Sequence, residues 1–128
     1  MSTVFNLLAI SLGAALGACL RWALGLAALR LQPNWPLGTL AANWLGAYLI
    51  GLSFAYFAAH SELPPIYRLL IATGFLGGLT TFSTFSLEAV QWLQTGRYAD
   101  FAAHFLLHTA GCMLFTVLGM ASYKGAWA

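Results

Sequence analysis

The chain is short of charge. Among its 128 residues stand three acidic and five basic side chains, so 6% are charged, against about 25% in an ordinary soluble domain. So few charges cannot cover a water-facing surface, and the outer face must meet something other than water. The net charge of +2 is too small and too dispersed for a nucleic-acid partner. Cysteine is scarce as well. Cys19 and Cys112 both fall in apolar runs, which speaks for buried thiols rather than a disulfide framework. No nucleophile–base pair, phosphate loop or metal cluster is visible, so a soluble enzyme is not expected. Nothing before Val4 is basic, and the first arginine follows the apolar stretch. The opening run therefore reads as a membrane span and not as a secretory signal.

What is present is apolar: 61% of the residues are hydrophobic and 15% aromatic. Four stretches carry no Asp, Glu, Lys or Arg: Val4–Leu20, Gly38–Ala59, Leu69–Leu87 and Phe101–Tyr123. Each is close to the roughly 20 residues a helix needs to cross about 30 Å of hydrocarbon. Between them lie the turn-forming runs Gln32-Pro33-Asn34-Trp35-Pro36, Ser61-Glu62-Leu63-Pro64-Pro65 and Thr95-Gly96-Arg97. Trp35, Tyr67, Trp92, Tyr98, Tyr123 and Trp127 sit near the span ends, as an aromatic belt requires. The expected fold is an all-α membrane protein, one domain with spans near 4–29, 37–59, 66–94 and 99–123.

Short-loop charge gives almost no orientation. Arg68 and Lys124 fall on one side of the membrane, Arg30 and Arg97 on the other, with Arg21 deeper in the first span. Either one charge decides, or the chain inserts both ways up. Small residues recur one turn apart in Gly13 and Gly17, in Gly38, Ala42 and Gly46, and in Ala47, Gly51 and Ala55. Such rows let helices approach closely, within one chain or between copies, and a dimer is the economical reading. The third span carries Gly74, Gly77 and Gly78, then Thr80 and Thr81, which disfavour continuous helix. Continuous helix over 66–94 would also be about 43 Å long, more than the bilayer needs. A broken third helix is expected, the alternative being a kinked helix with a glycine packing groove. Freed carbonyls at such a break can hold a cation, and half-helix N-termini can face an anion.

The run Gly74–Ser86 followed by Glu88 resembles the signature of the Fluc family, also called CrcB-type, the small bacterial fluoride channels. Gly13-x-x-x-Gly17-x-x-x-Arg21 and Pro36-x-Gly38-Thr39-x-x-x-Asn43-x-x-Gly46 are similar to further family motifs, so the resemblance touches the first three spans. It implies a passive, non-enzymatic fluoride channel of the bacterial inner membrane. It further implies an antiparallel dual-topology homodimer with two pores and a structural sodium ion at the interface. By the same resemblance, main-chain carbonyls of Gly77 and Thr80 hold the sodium, ring edges of Phe82 and Phe85 line the pores, and Asn43 donates a hydrogen bond to fluoride.

The residue chemistry agrees. Fluoride is tightly hydrated, and a pore must replace its water with donors such as the Asn43 amide and the Thr39 hydroxyl one turn earlier. Ser83 and Thr84 add hydroxyls beside the break, and an aromatic edge is electropositive. Ordinary packing is the plain alternative for Phe82 and Phe85. Arg21 suits either an anion vestibule or a headgroup contact. Glu88, one turn beyond Thr84, is expected to accept from its hydroxyl in a structural or gating role.

His104, His108, Cys112 and Thr116 form a polar stripe on the fourth span, where the family usually carries hydroxyl residues. His104 and His108 have the spacing of a metal pair, but no third ligand is evident, and a polar pore or interface stripe is the expectation. Two other functions stand beside the channel. A proton-coupled multidrug exporter needs a carboxylate in the membrane; the first span has none, and Glu88 alone supports it. A non-transporting assembly subunit would use the glycines and aromatics only to bind partners.

Overall fold

A computed structural model describes residues 2–123. Lys124 and Trp127, invoked above for charge balance and the aromatic belt, lie outside the described residues. Helix α1 (Thr3–Leu31) starts at Ser2, whose hydroxyl accepts from the Phe5 amide, and stops at Gln32, held extended by the following proline. Helix α2 spans Leu37–Ala59. Helix α3 comprises Ile66–Arg68, a π-helical stretch Leu69–Leu76, and Gly77–Leu79. Helix α4 (Phe82–Gln94) and helix α5 (Tyr98–Ser122) complete the chain. Four helical segments, with α3 and α4 counted as one, are long and apolar enough to cross a membrane, and no strand occurs among the described residues.

The α4–α5 turn shows how local sequence sets a corner. Gly96 has φ +75°, a conformation glycine adopts without strain. Its amide then donates to Leu93 O and that of Arg97 to Trp92 O, closing the helix end.

The third span is interrupted, as expected, but not at its glycines. Gly74, Gly77 and Gly78 remain helical, and the interruption falls at Thr80 (φ −89°, ψ 155°) and Thr81 (φ −150°, ψ 116°), both extended. β-Branched side chains favour that geometry. The glycines serve packing instead. α1 lies against α3 so closely that a Cβ at Gly13 would meet Leu70 O, one at Gly17 Phe75 O, and one at Gly78 Ala14 O. On the other side, Gly51 faces Thr116 O and Gly119 faces Tyr48 O, joining α2 to α5. The small-residue rows are thus consumed inside the chain. Between the pairs, Ala42, Leu76 and Leu79 form the core, with Leu20, Leu24, Leu49 and Phe75 packed on it.

This packing makes a sharp prediction. The Gly17 position abuts backbone, which cannot swing aside, whereas a Cβ at Gly25 meets nothing within 4 Å. Gly17→Ala is expected to cost about 1–3 kcal/mol of stability, and Gly25→Ala to be neutral or slightly stabilising. Thermal unfolding in detergent checks this; equal midpoints for the two variants would contradict the α1–α3 contact.

Candidate functional site

The break is clasped from α2. The Thr81 N–H donates to Asn43 Oδ1 at 2.8 Å, and Asn43 Nδ2 donates to Thr81 O at 3.0 Å. One buried side chain so satisfies both polar groups of an extended peptide that the bilayer would otherwise leave unpaired. Thr81 also caps α4: its Oγ1 accepts from the Thr84 N–H at 3.1 Å and donates to Thr84 Oγ1. Ser83 Oγ lies 3.2 Å from the same oxygen. In a continuous helix the amides of Thr81 and Thr84 would bond the carbonyls of Gly77 and Thr80. Here both amides are engaged elsewhere, which frees those two carbonyls. Their chemistry, hard uncharged oxygens beside a helix end, fits a sodium ion.

Arg21 completes the break from α1. Its Nε donates to Gly78 O at 3.1 Å, a cation at the C-terminal end of α3 where the helix dipole favours one.

A groove of about 470 Å³ opens beside the break. It brings together Asn43, Gly77, Thr80, Phe82 and Phe85 with His108, Cys112 and Thr116 of α5. Phe82 is 77% exposed and Phe85 only 5%; their rings meet edge to face at 5.5 Å and 62°. Phe85 stacks on His108 at 4.5 Å and 30°. The Thr116 hydroxyl turns back onto Cys112 O of its own helix.

Thr39 and Glu88 lie elsewhere, in a second cavity of about 360 Å³ beside Trp22 and Trp35. The expected Thr84–Glu88 hydrogen bond is not formed. Thr84 is drawn to the Thr81 cap, and Glu88 Oε2 accepts from Thr39 Oγ1 at 2.7 Å across the α2–α4 contact. That bond also occupies the Thr39 proton. His104 is fully buried between Trp35, Trp92 and Phe85, with Nε2 3.4 Å from Glu88 Oε1.

The expectation that the histidine pair lacks a third ligand needs correction. Glu88, His104 and His108 each bring a ligand-type atom within 4.8 Å of the others. Helical spacing on one span could not show this, because Glu88 belongs to another. Yet the polarity at His108 opposes a metal. Its Nδ1 faces Asn43 Nδ2 at 3.1 Å, and the Thr81 clasp fixes Nδ2 as a donor. Nδ1 therefore accepts, a neutral ring carries its proton on Nε2, and no lone pair is left there for an ion.

Thr81 was expected only to disfavour helix, and its roles as cap and as partner of Asn43 were not foreseen. The signal for the cap was present: a threonine directly before a helical run is a preferred N-cap residue.

A protein of Tolumonas auensis named fluoride-specific ion channel FluC is 53% identical over 119 residues, 93% of this chain and 94% of its own. Proteins of the same name from Chromohalobacter salexigens (54%, covering 92% of this chain and 89% of theirs) and Cupriavidus taiwanensis (53%, 91% and 92%) are similar. Residues 8–120 match the family described as CrcB-like protein, Camphor Resistance (CrcB), a match that takes in the broken third span, the Asn43 clasp and the α5 stripe, and the chain belongs to that family.

Proposed function

We propose that this protein is a passive, fluoride-selective channel of the bacterial inner membrane that catalyses no reaction. The observation that carries the reading is the groove at the clasped break, in a chain half identical to proteins named fluoride-specific ion channels. There an exposed Phe82, a buried Phe85 and the polar edge of α5 share one surface within the span. Aromatic edges and weak donors can hold an anion without trapping it.

The working unit is a homodimer, and the support is solvation. A groove that carries the freed carbonyls of Gly77 and Thr80 is poorly served by lipid; a second copy covers it. With Arg68 and Lys124 assigned by the sequence to one side and Arg30 and Arg97 to the other, the charge balance favours neither orientation. The proposed dimer is therefore antiparallel, with the two breaks facing across a two-fold axis in the membrane plane. The freed carbonyls of Gly77 and Thr80 from both copies would hold a sodium ion there, supplying charge that a dry interface otherwise lacks.

Liposomes loaded with fluoride and carrying the purified protein are expected to release it down its gradient, and to retain chloride under the same conditions. Comparable chloride release, or fluoride release that requires a proton gradient, would reject the channel reading.

A further inference from the structure

Glu88 and His104 meet inside the membrane spans. Glu88 Oε1 lies 3.4 Å from His104 Nε2, and the His104 side chain is fully buried. The other carboxylate oxygen, Oε2, accepts from the Thr39 hydroxyl at 2.7 Å, which leaves Oε1 to the ring. The Phe85 backbone is a second acceptor beside that ring. Glu88 Oε1 and both ring nitrogens of His104 are buried without a full hydrogen bond.

The pair is one proton short. An ionised Glu88 against a neutral His104 leaves a net negative charge at membrane depth, where an uncompensated charge is costly. A neutral ring also offers two acceptors a single N–H. One further proton removes both faults. On Oε1 it makes an acid that donates to the ring; on the ring it makes an imidazolium beside a carboxylate. Either way the pair is neutral overall. No neighbour supplies the compensating charge instead, because among the described residues Glu88 has no arginine or lysine partner. Asp100, one turn before His104, is held by Trp35 and Arg97. His108, one turn after, accepts at Nδ1 from Asn43 and is neutral. The α1–α2 turn and α2 present Trp35 and Thr39, which carry no charge.

We infer that Glu88 and His104 form a binding site for one proton, and that its occupancy sets the charge behind the anion groove. Protons reach the pair through the cavity that Thr39 and Glu88 line. On its other side His104 packs on Phe85 and His108, with ring centroids 5.0 and 4.4 Å away, and both of these line the groove. With the proton bound the wall is neutral; without it, a negative charge stands there and repels an anion. The effect on fluoride rests on the channel reading above, whereas the proton site does not.

Nuclear magnetic resonance of the purified full-length protein, labelled with ¹³C at the glutamate carboxyls and ¹⁵N in histidine, counts the protons. The chain has two glutamates, so Glu88 is the carboxyl signal that remains in Glu62→Gln, and His104 gives the signals lost in His104→Gln. Near neutral pH the pair is expected to hold two protons in all. They sit either as a protonated Glu88 with one ring N–H or as an ionised Glu88 with two. An ionised Glu88 facing a ring with one N–H overturns the site. Fluoride release from liposomes is then followed from about pH 6 to about pH 9, with equal pH on both sides and protein-free liposomes subtracted. Release should fall about tenfold as pH rises, the scale set by unit charges roughly 10 Å apart in a partly buried site. The fall should come at lower pH in His104→Gln, whose amide can donate to Oε1 but binds no proton. It should be absent in Glu88→Gln, whatever that variant's own rate. A wild-type rate that does not fall over this range overturns the link to the groove. A pair that holds its proton in a protein passing no fluoride at any pH overturns the channel reading alone.

Discussion

An Asn43→Leu variant is expected to lose fluoride release by at least 100-fold, with lower stability. Leucine is close to asparagine in shape but offers the Thr81 peptide neither donor nor acceptor. Both Thr81 groups would be left unpaired beside the groove, at about 1–3 kcal/mol each, and His108 Nδ1 would lose its donor as well. Two escapes are open to the chain. The break can close into continuous helix, which puts the Thr81 N–H back on Gly77 O and removes a freed carbonyl, or the local fold can loosen. Both deform the groove. The measurements are flux per folded protein and thermal unfolding in detergent. Wild-type flux at unchanged stability would show that the clasp is incidental to the path.

Adding four or five lysines to the C-terminal end of the chain should remove nearly all activity when that variant is made alone. The described residues offer little orienting charge, with Arg97 partly neutralised by Asp100 at 2.7 Å. A cluster of lysines would therefore dominate insertion and hold every copy one way up. Under the antiparallel arrangement proposed above, no working dimer can then form. Co-expression with a second variant biased oppositely, by lysines in the α1–α2 turn, should restore fluoride release toward the wild-type level. Full activity of the single biased variant would sink the antiparallel dimer and leave the channel reading standing.

Much of the architecture was readable from hydropathy. The four spans followed from charge-free stretches, and the interruption of the third from its residue types. The exact place of that interruption was less open, because glycine in a span breaks a helix or packs one, and only the neighbour decides. Gly13 and Gly17 have α3 against them, so α3's own glycines stay helical. Within the site, periodicity put His104, His108, Cys112 and Thr116 on one face of one helix. It carried no information about which helix that face meets. Glu88 was therefore assigned the nearest hydroxyl along its own helix, Thr84, when the facing one was Thr39 from α2. The Asn43–Thr81 clasp joins residues 38 positions apart, and no local pattern announces such a pairing. Donor and acceptor counting finds it only once the two strands of chain are side by side.

The inward use of the glycine rows bears on how copies meet. Helices that associate through small-residue seams come apart into pieces that lipid solvates well, so their pairing follows their density in the membrane. Here the seams are closed within each chain, and what remains for a neighbour is a largely apolar groove that carries the freed carbonyls of Gly77 and Thr80. A solitary copy would carry those two carbonyls through the bilayer and meet nothing there able to satisfy them. Its reluctance to remain solitary would come from what it exposes and not from how well two surfaces fit. Dilution in lipid should then separate the copies far less readily than it separates a glycine-zippered pair.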